Sequence, residues 1–215
     1  MLIVGAKGFA KEVLEILYQL NDIKDLSFYD DITPDLPSKL YGNFPILSKP
    51  EEVSNYFKIK DRRFTIGIGS CSLRKKMHDH FLALGGVFSS TISPQAHIGH
   101  HDVTIGEGCN IMTGSVVSND VHLGQGVLVY FNVNVTHDVY VGDFTEISPG
   151  ATLLGRCHIG GFCSIGSHAT ILPDIRIGTN VVVAAGAVVT KDVPDNCLVA
   201  GVPAVVKKQL APLSF

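Results

Sequence analysis

From Ile105 to Pro194 the chain reads, in sixes, IGEGCN, IMTGSV, VSNDVH, LGQGVL, VYFNVN, VTHDVY, VGDFTE, ISPGAT, LLGRCH, IGGFCS, IGSHAT, ILPDIR, IGTNVV, VAAGAV and VTKDVP. The first slot holds only Ile, Val or Leu. The second favours Gly, Ala, Ser or Thr and departs at Met112, Tyr130, Leu154 and Leu172, while the fifth is small or β-branched from Cys109 and Ser115 through to Ala187 and Val193. A period of six fits neither a helix nor an alternating strand. It fits a chain wound into triangular coils, each hexad a short strand and a corner, with slots one and five pointing inward. Positions eighteen apart then stack in columns. Upstream, Ile92 and Ile98 keep the phase but Ile98 and Ile105 are seven apart, so one extra residue bulges near Gly99-His100-His101.

Outside the repeat the pattern changes. Leu2-Ile3-Val4 reads as a buried strand, followed by Gly5-Ala6-Lys7-Gly8 and a helix carrying Val13, Leu14, Leu17 and Leu20. A second strand, Ser27-Phe28-Tyr29, ends in Asp30-Asp31. A third, Phe64 to Gly69, runs into a helix that opens near Ser70, carries Leu73, Met77, Phe81 and Leu84, and stops at Gly85-Gly86. Thr33 to Pro50, rich in proline and polar residues, reads as a loop. Residues 1–87 are thus expected to form a small Rossmann-like, doubly wound α/β lobe, and residues 88–215 a parallel β-helix.

The glycines of the first strand-to-helix turn let a phosphate approach backbone N–H groups at the helix start. The full G-x-G-x-x-G pattern is missing, since Gly5 and Gly8 are its only glycines, so turn glycines and a phosphate site both remain open. The acidic tip at Asp30-Asp31 could accept ribose or base hydrogen bonds.

Composition narrows the class. The chain has 215 residues, 46% of them hydrophobic, and a net charge of −3 with no basic run, which argues against a nucleic-acid partner. No apolar stretch approaches the ~20 residues that span a bilayer, and the N-terminus reads as a strand rather than a targeting peptide. Five cysteines without paired spacing argue against a disulfide framework, and the expected compartment is the cytoplasm.

The hexads, with the tail Val199-Ala200-Gly201-Val202-Pro203-Ala204 and Lys207-Lys208, resemble the bacterial hexapeptide-repeat sugar acyltransferases, among them UDP-amino-sugar N-acetyltransferases and sialic acid O-acetyltransferases. The order of a small nucleotide-sugar lobe followed by a β-helix matches them over the whole chain. The resemblance implies a left-handed helix, a homotrimer, and acetyl-CoA lying between neighbouring coil stacks, with no metal. By that resemblance Lys7, Gly8 and Phe9 would meet the phosphates of a sugar nucleotide, Asp30 and Asp31 its nucleoside, and Gly69 its third side. Many relatives carry His where this chain has Phe9.

Acyl transfer from a thioester needs a base for the proton of the attacking group, and a histidine titrating near ~6.5 can supply it at neutral pH. Spacing alone leaves His137 either a surface group or a base. Its place in VTHDVYVGDFTEISPGA resembles the family's His-acid pair, which makes His137 the expected base and Asp138 its orienting acid. The resemblance also sets Glu146, Ser167 and Ala185 against the coenzyme, with Glu146 standing where a relative has histidine. Pro149, Ser167 and Ala185 form a column of small residues with room for a pantetheine arm. The expected activity is acetyl transfer from acetyl-CoA to the amine of a nucleotide-linked amino sugar, in surface glycan biosynthesis. The alternatives are O-acetylation of a sugar hydroxyl such as that of sialic acid, a non-catalytic scaffold, and a zinc lyase of the carbonic anhydrase type. The last needs three converging histidines, and His122 and His137, fifteen apart, have no obvious third.

Overall fold

Two apolar periods build two kinds of sheet, which a computed structural model describes over residues 1–214. The first is a six-stranded sheet made by β1 (Leu2–Val4), β2 (Ser27–Tyr29), β3 (Lys39–Leu40), β4 (Phe44–Leu47), β5 (Arg63–Ile66) and β6 (Val87–Phe88). Its spatial order is β3-β4-β2-β1-β5-β6, with β1 parallel to both β2 and β5. Helices α1 (Gly8–Gln19), α2 (Pro50–Ile59) and α3 (Cys71–Ala83) flank it. The chain leaves β1 towards β2 on one side and returns to β5 on the other. The crevice beyond the ends of β1 and β5 is therefore a topological switch point, where open α/β sheets take ligands.

Part of the lobe departs from expectation. The Thr33-to-Pro50 segment contains the β3–β4 hairpin, whose second strand pairs in parallel with β2. Tyr41 and Gly42, both at positive φ, make its turn, and Asn43 N–H donates to Leu40 O. Proline-rich composition concealed it because Pro45 sits in a short strand near the sheet's edge, where a missing N–H is tolerated. Helix α2 was also unforeseen, though Pro50 at its first turn with Glu51 and Glu52 behind it is a recognised helix start. On α3 the buried face is Arg74, His78 and Phe81; Leu73 turns to a cavity instead. Leu20 lies beyond the end of α1 and is exposed.

The second system begins at Thr91. Two-residue strands β7 to β23, from Thr91–Ile92 to Val188–Val189, stack into three parallel walls. The first wall runs through Asn110–Ile111, Leu128–Val129, Glu146–Ile147, Ser164–Ile165 and Val182–Val183; the second through Val116–Val117, Asn134–Val135, Thr152–Leu153, Thr170–Ile171 and Val188–Val189. The third runs through His122–Leu123, Tyr140–Val141, His158–Ile159 and Arg176–Ile177. Slots one and five fill the interior: Ile111, Ser115, Val127, Val133, Ile147 and Ala151 have no exposed surface. The extra residue falls where expected. Asn110 pairs with Thr91 and Val116 with His97, nineteen apart rather than eighteen, and Asp102 takes positive φ in the bend. Burial pushes the thiols of Cys109, Cys157 and Cys163 up to about 12, so these three act as core filling. A hairpin of β24 (Cys197–Gly201) and β25 (Ala204–Gln209) closes the last coil.

Two departures from the small second slot have a packing reason. Met112 is fully buried with Ile16 of α1 and Leu128, and Tyr130 packs against Phe9, ring centroids 5.4 Å apart and planes tilted by 39°, while its hydroxyl donates to Glu12. They seat the lobe on the first wall. Asn110 secures the joint from the polar side: its Oδ1 accepts from Thr65 Oγ1 at 2.9 Å and from Thr91 Oγ1, and its Nδ2 donates to Ile66 O at 3.0 Å.

Candidate active site

At the switch point lies a cavity of about 620 Å³ whose walls include Lys7, Gly8, Phe9, Asp30, Asp31 and Gly69. The structure thus gathers into one place all six residues assigned to the acceptor. Gly5 (φ +101°) makes the turn out of β1, and Gly67 is bare because a Cβ there would lie 2.6 Å from Ala10 Cα as α1 crosses β5. Lys7 at the N-cap contributes no side-chain cap, and the first turn of α1 has no acidic residue. The N–H groups of Gly8 and Phe9 therefore stand at the cavity wall with the positive end of the helix behind them, a ready anion seat.

The two aspartates divide their work. Asp30 staples the floor: its carboxylate accepts from Ala6 N–H (3.2 Å), Ile32 N–H (3.3 Å), Thr33 N–H (2.9 Å) and Thr33 Oγ1 (3.1 Å). Asp31 is exposed at the cavity mouth. Burial, with a hydrogen bond to Asp31, pushes the Tyr29 phenol up to about 12, so it stays a neutral donor. Phe9 turns its ring to Tyr130 and offers the cavity only backbone and an apolar edge. The wall supplied by α3 sets Leu73 and Met77, which the sequence places on the helix's apolar face, beside Lys76 and His80, which carried no signal there.

His137 stands at the corner between the second and third walls, in a turn where the following Asp138 takes φ +58°. Its Nδ1 lies 2.6 Å from Asp138 Oδ2, and the two side chains are 56% and 52% exposed. In the tautomer whose Nδ1–H donates to the carboxylate, Nε2 carries the lone pair. The ring lies over Gly155, where a Cβ would come within 2.6 Å of it. Gly155 is one column step, eighteen residues, from His137, so the repeat itself could have revealed it. Half-buried Leu154 and Leu172, the other two second-slot departures, continue this corner.

Ser167 and Ala185 occupy a different corner, between the first and second walls, in line with Pro149. Glu146 is not in that column. It projects from the first wall beside the lobe, its Oε2 3.6 Å from where a Gly69 Cβ would be. The chain therefore unites the cavity residues and Glu146 on one side, while His137 sits a full wall away. Among the described residues no three of His, Cys, Asp and Glu converge as metal ligands, and no helix is long and apolar enough to cross a membrane.

Comparisons with known proteins agree with this architecture. The family of the PglD N-terminal domain matches residues 1–81, and the bacterial transferase hexapeptide (six repeats) matches residues 156–191. The acetyltransferase domain of PglB from Neisseria gonorrhoeae is 30% identical; the match covers 96% of this chain and 98% of that one, with a TM-score of 0.88. The chain belongs to the hexapeptide-repeat sugar acetyltransferases. Its repeat region is the left-handed parallel β-helix of that family. WeeI from Acinetobacter baumannii is similar at 29% identity (96% and 98% covered, TM-score 0.87). GDP-perosamine N-acetyltransferase from Caulobacter crescentus, solved with CoA and GDP-perosamine as a histidine-to-alanine mutant, is similar at 27% (97% and 96% covered, TM-score 0.89). The PglB domain is also known with acetyl coenzyme A. No curated protein matches the chain.

Proposed function

We propose that this acetyltransferase moves an acetyl group from acetyl-CoA to the amine of a nucleotide-linked amino sugar, in the cytoplasm, for surface glycan synthesis. The observation that carries this reading is the switch-point cavity, with an uncapped helix start for a diphosphate, on a coil stack that presents an exposed His–Asp pair. Relatives that bind CoA together with GDP-perosamine support it, and five unpaired cysteines suit a reducing compartment. Residues 1–87 are the acceptor lobe and residues 88–215 the transfer domain.

In this reading Lys7, Gly8 and Phe9 hold the diphosphate through charge and backbone N–H groups, Asp31 takes the nucleoside, and Gly69 leads to the sugar. Acetyl-CoA runs along the corner of Ser167 and Ala185, with Glu146 at its acyl end. His137 is one wall away from that corner, so a second copy must supply it; the enzyme is a homotrimer whose sites lie between subunits. Half-buried Leu154 and Leu172 beside His137 give that contact an apolar surface. The amine nitrogen bonds to the thioester carbon as its proton passes to His137 Nε2, while Asp138 steadies the imidazolium. Backbone N–H groups hold the oxyanion. The C–S bond then breaks with its electron pair on sulfur, which takes the proton from His137.

The test is acetyl transfer to a panel of UDP- and GDP-linked sugars bearing either an amine or a hydroxyl, alongside the Gly8→Leu variant. A Cβ at Gly8 meets nothing within 4 Å, so the variant should fold at least as well as the parent. Its side chain would fill the phosphate seat. The KM for the sugar nucleotide should rise about tenfold or more, the loss expected for one or more charge-assisted hydrogen bonds, and that for acetyl-CoA should stay put. A rise in the acetyl-CoA KM alone would reverse the assignment of the two regions, and turnover of hydroxyl acceptors alone would make the enzyme an O-acetyltransferase.

A further inference from the structure

Glu146 is a carboxylate in an unusual position. It stands where the acceptor cavity meets the first wall, and the rim residue Gly69 is glycine at the point nearest its Oε2. Burial raises its pKa against the opposing effects of Arg74 and Ser148. Among the described residues its carboxylate accepts one hydrogen bond, from Ser148 Oγ at 3.4 Å to Oε1, and forms no ion pair. Arg74, the cation whose charge acts on it, is committed elsewhere: its two Nη groups donate to Gly69 O and, at 2.5 Å, to Phe144 O, and its buried Nε has no partner among the described residues. A partly buried carboxylate is costly without a cation or several donors. Here the protein supplies neither at contact distance.

The layout says what could. A diphosphate at the start of α1 with its nucleoside towards Asp31 leaves the sugar one way to go, past Gly69 and towards the first wall. The Pro149–Ser167–Ala185 corner begins three residues after Glu146, so the acyl donor's end and the acceptor's end converge on this side chain. We infer that Glu146 is the specificity-determining residue that holds the sugar's amino group as an ammonium and so selects amine over hydroxyl acceptors. The inference rests on the acceptor reading of the lobe and moves Glu146 from the coenzyme's side of the site to the sugar's. A hydroxyl in the same place would leave the carboxylate without its cation. The ammonium gives one proton to solvent before it attacks.

The experiment is calorimetric titration of the parent enzyme and Glu146→Gln with GDP-perosamine, a UDP-linked 4-amino sugar, the counterparts of both carrying a hydroxyl in place of the amine, and acetyl-CoA. A charge-assisted hydrogen bond predicts an increase in Kd of about ten- to hundredfold for the amine ligands. The hydroxyl ligands and acetyl-CoA should bind as before, narrowing the parent's preference for amines. Equal binding of the amine ligands by parent and variant overturns the inference while leaving the acceptor reading intact. Parallel losses for amine and hydroxyl ligands would make Glu146 a counter-charge to Arg74, and a loss confined to acetyl-CoA would return it to the coenzyme; both overturn it. A parent that binds none of the four nucleotides fails the acceptor reading, and the inference falls with it.

Discussion

Replacing His137 by alanine should lower kcat by roughly 10²–10⁴-fold while the KM values for sugar nucleotide and acetyl-CoA hold, the signature of a group used in proton transfer and little in binding. The side chain is exposed and makes no core contact, so the variant should fold with unchanged Tm. Two further substitutions separate base from bystander. Asp138→Asn keeps a residue that tolerates the positive φ of that turn and removes only the charge that steadies the imidazolium, so its loss should be smaller than that of His137→Ala. Gly155→Ala keeps both His137 and Asp138 but puts a methyl where the imidazole lies. The ring is the end of a movable side chain, so it should swing aside, and kcat should fall with little change in stability. Near-normal turnover in His137→Ala would end the catalytic assignment and leave the fold untouched.

The second large effect is on stability. Val127→Asp places a carboxylate on the inner side of a coil, at a position with no exposed surface and surrounded by aliphatic side chains. An unpaired buried charge belongs to the few mechanisms that exceed ~4 kcal/mol, a large share of the ~5–15 kcal/mol that holds an ordinary domain together. The protein should lose its cooperative thermal transition or fail to accumulate in soluble form. His122→Asp, five residues earlier and pointing out of the third wall, gives up a hydrogen bond with Thr104 and stacking on Tyr140 and should cost about 1–2 kcal/mol, well short of the core change. If Val127→Asp melts like the parent, the slot-five positions do not face inward.

The coil stack was legible because each hexad repeats the same constraint: slot one and slot five must fit a narrow interior, so the pattern carries its own phase. The same regularity made Gly155 recoverable from His137 by counting eighteen. The lobe was harder. Its strands and first helix follow from local apolar runs, but the β3–β4 hairpin hides behind Pro45, and Arg74 looks like any helical surface arginine. Only tertiary packing shows that Arg74 is 1% exposed and tied to backbone carbonyls of both parts of the chain. Lys7, Gly8, Phe9, Asp30, Asp31 and Gly69, which only the resemblance sets at an acceptor, line one cavity. The division of labour between Asp30 and Asp31 depended on hydrogen bonds to Ala6 and Thr33 that no residue pattern announces.

The coil stack also behaves like the thread of a screw. Eighteen residues return the chain to the same wall, six carry it one wall onward, and the spare residue near Gly99 is spent before His137 or Ser167 is reached. Length changes between those two residues are therefore quantised. Insertion of a whole coil would lengthen the stack and leave both corners facing as they do now, changing only their spacing along the axis. Insertion of a single hexad, however well it packed, would turn every later corner by a third of a revolution and carry the Ser167 and Ala185 column onto the side where the histidine now stands. The stack could grow or shrink in evolution at its far end with little consequence, but between these corners only full turns preserve the alignment.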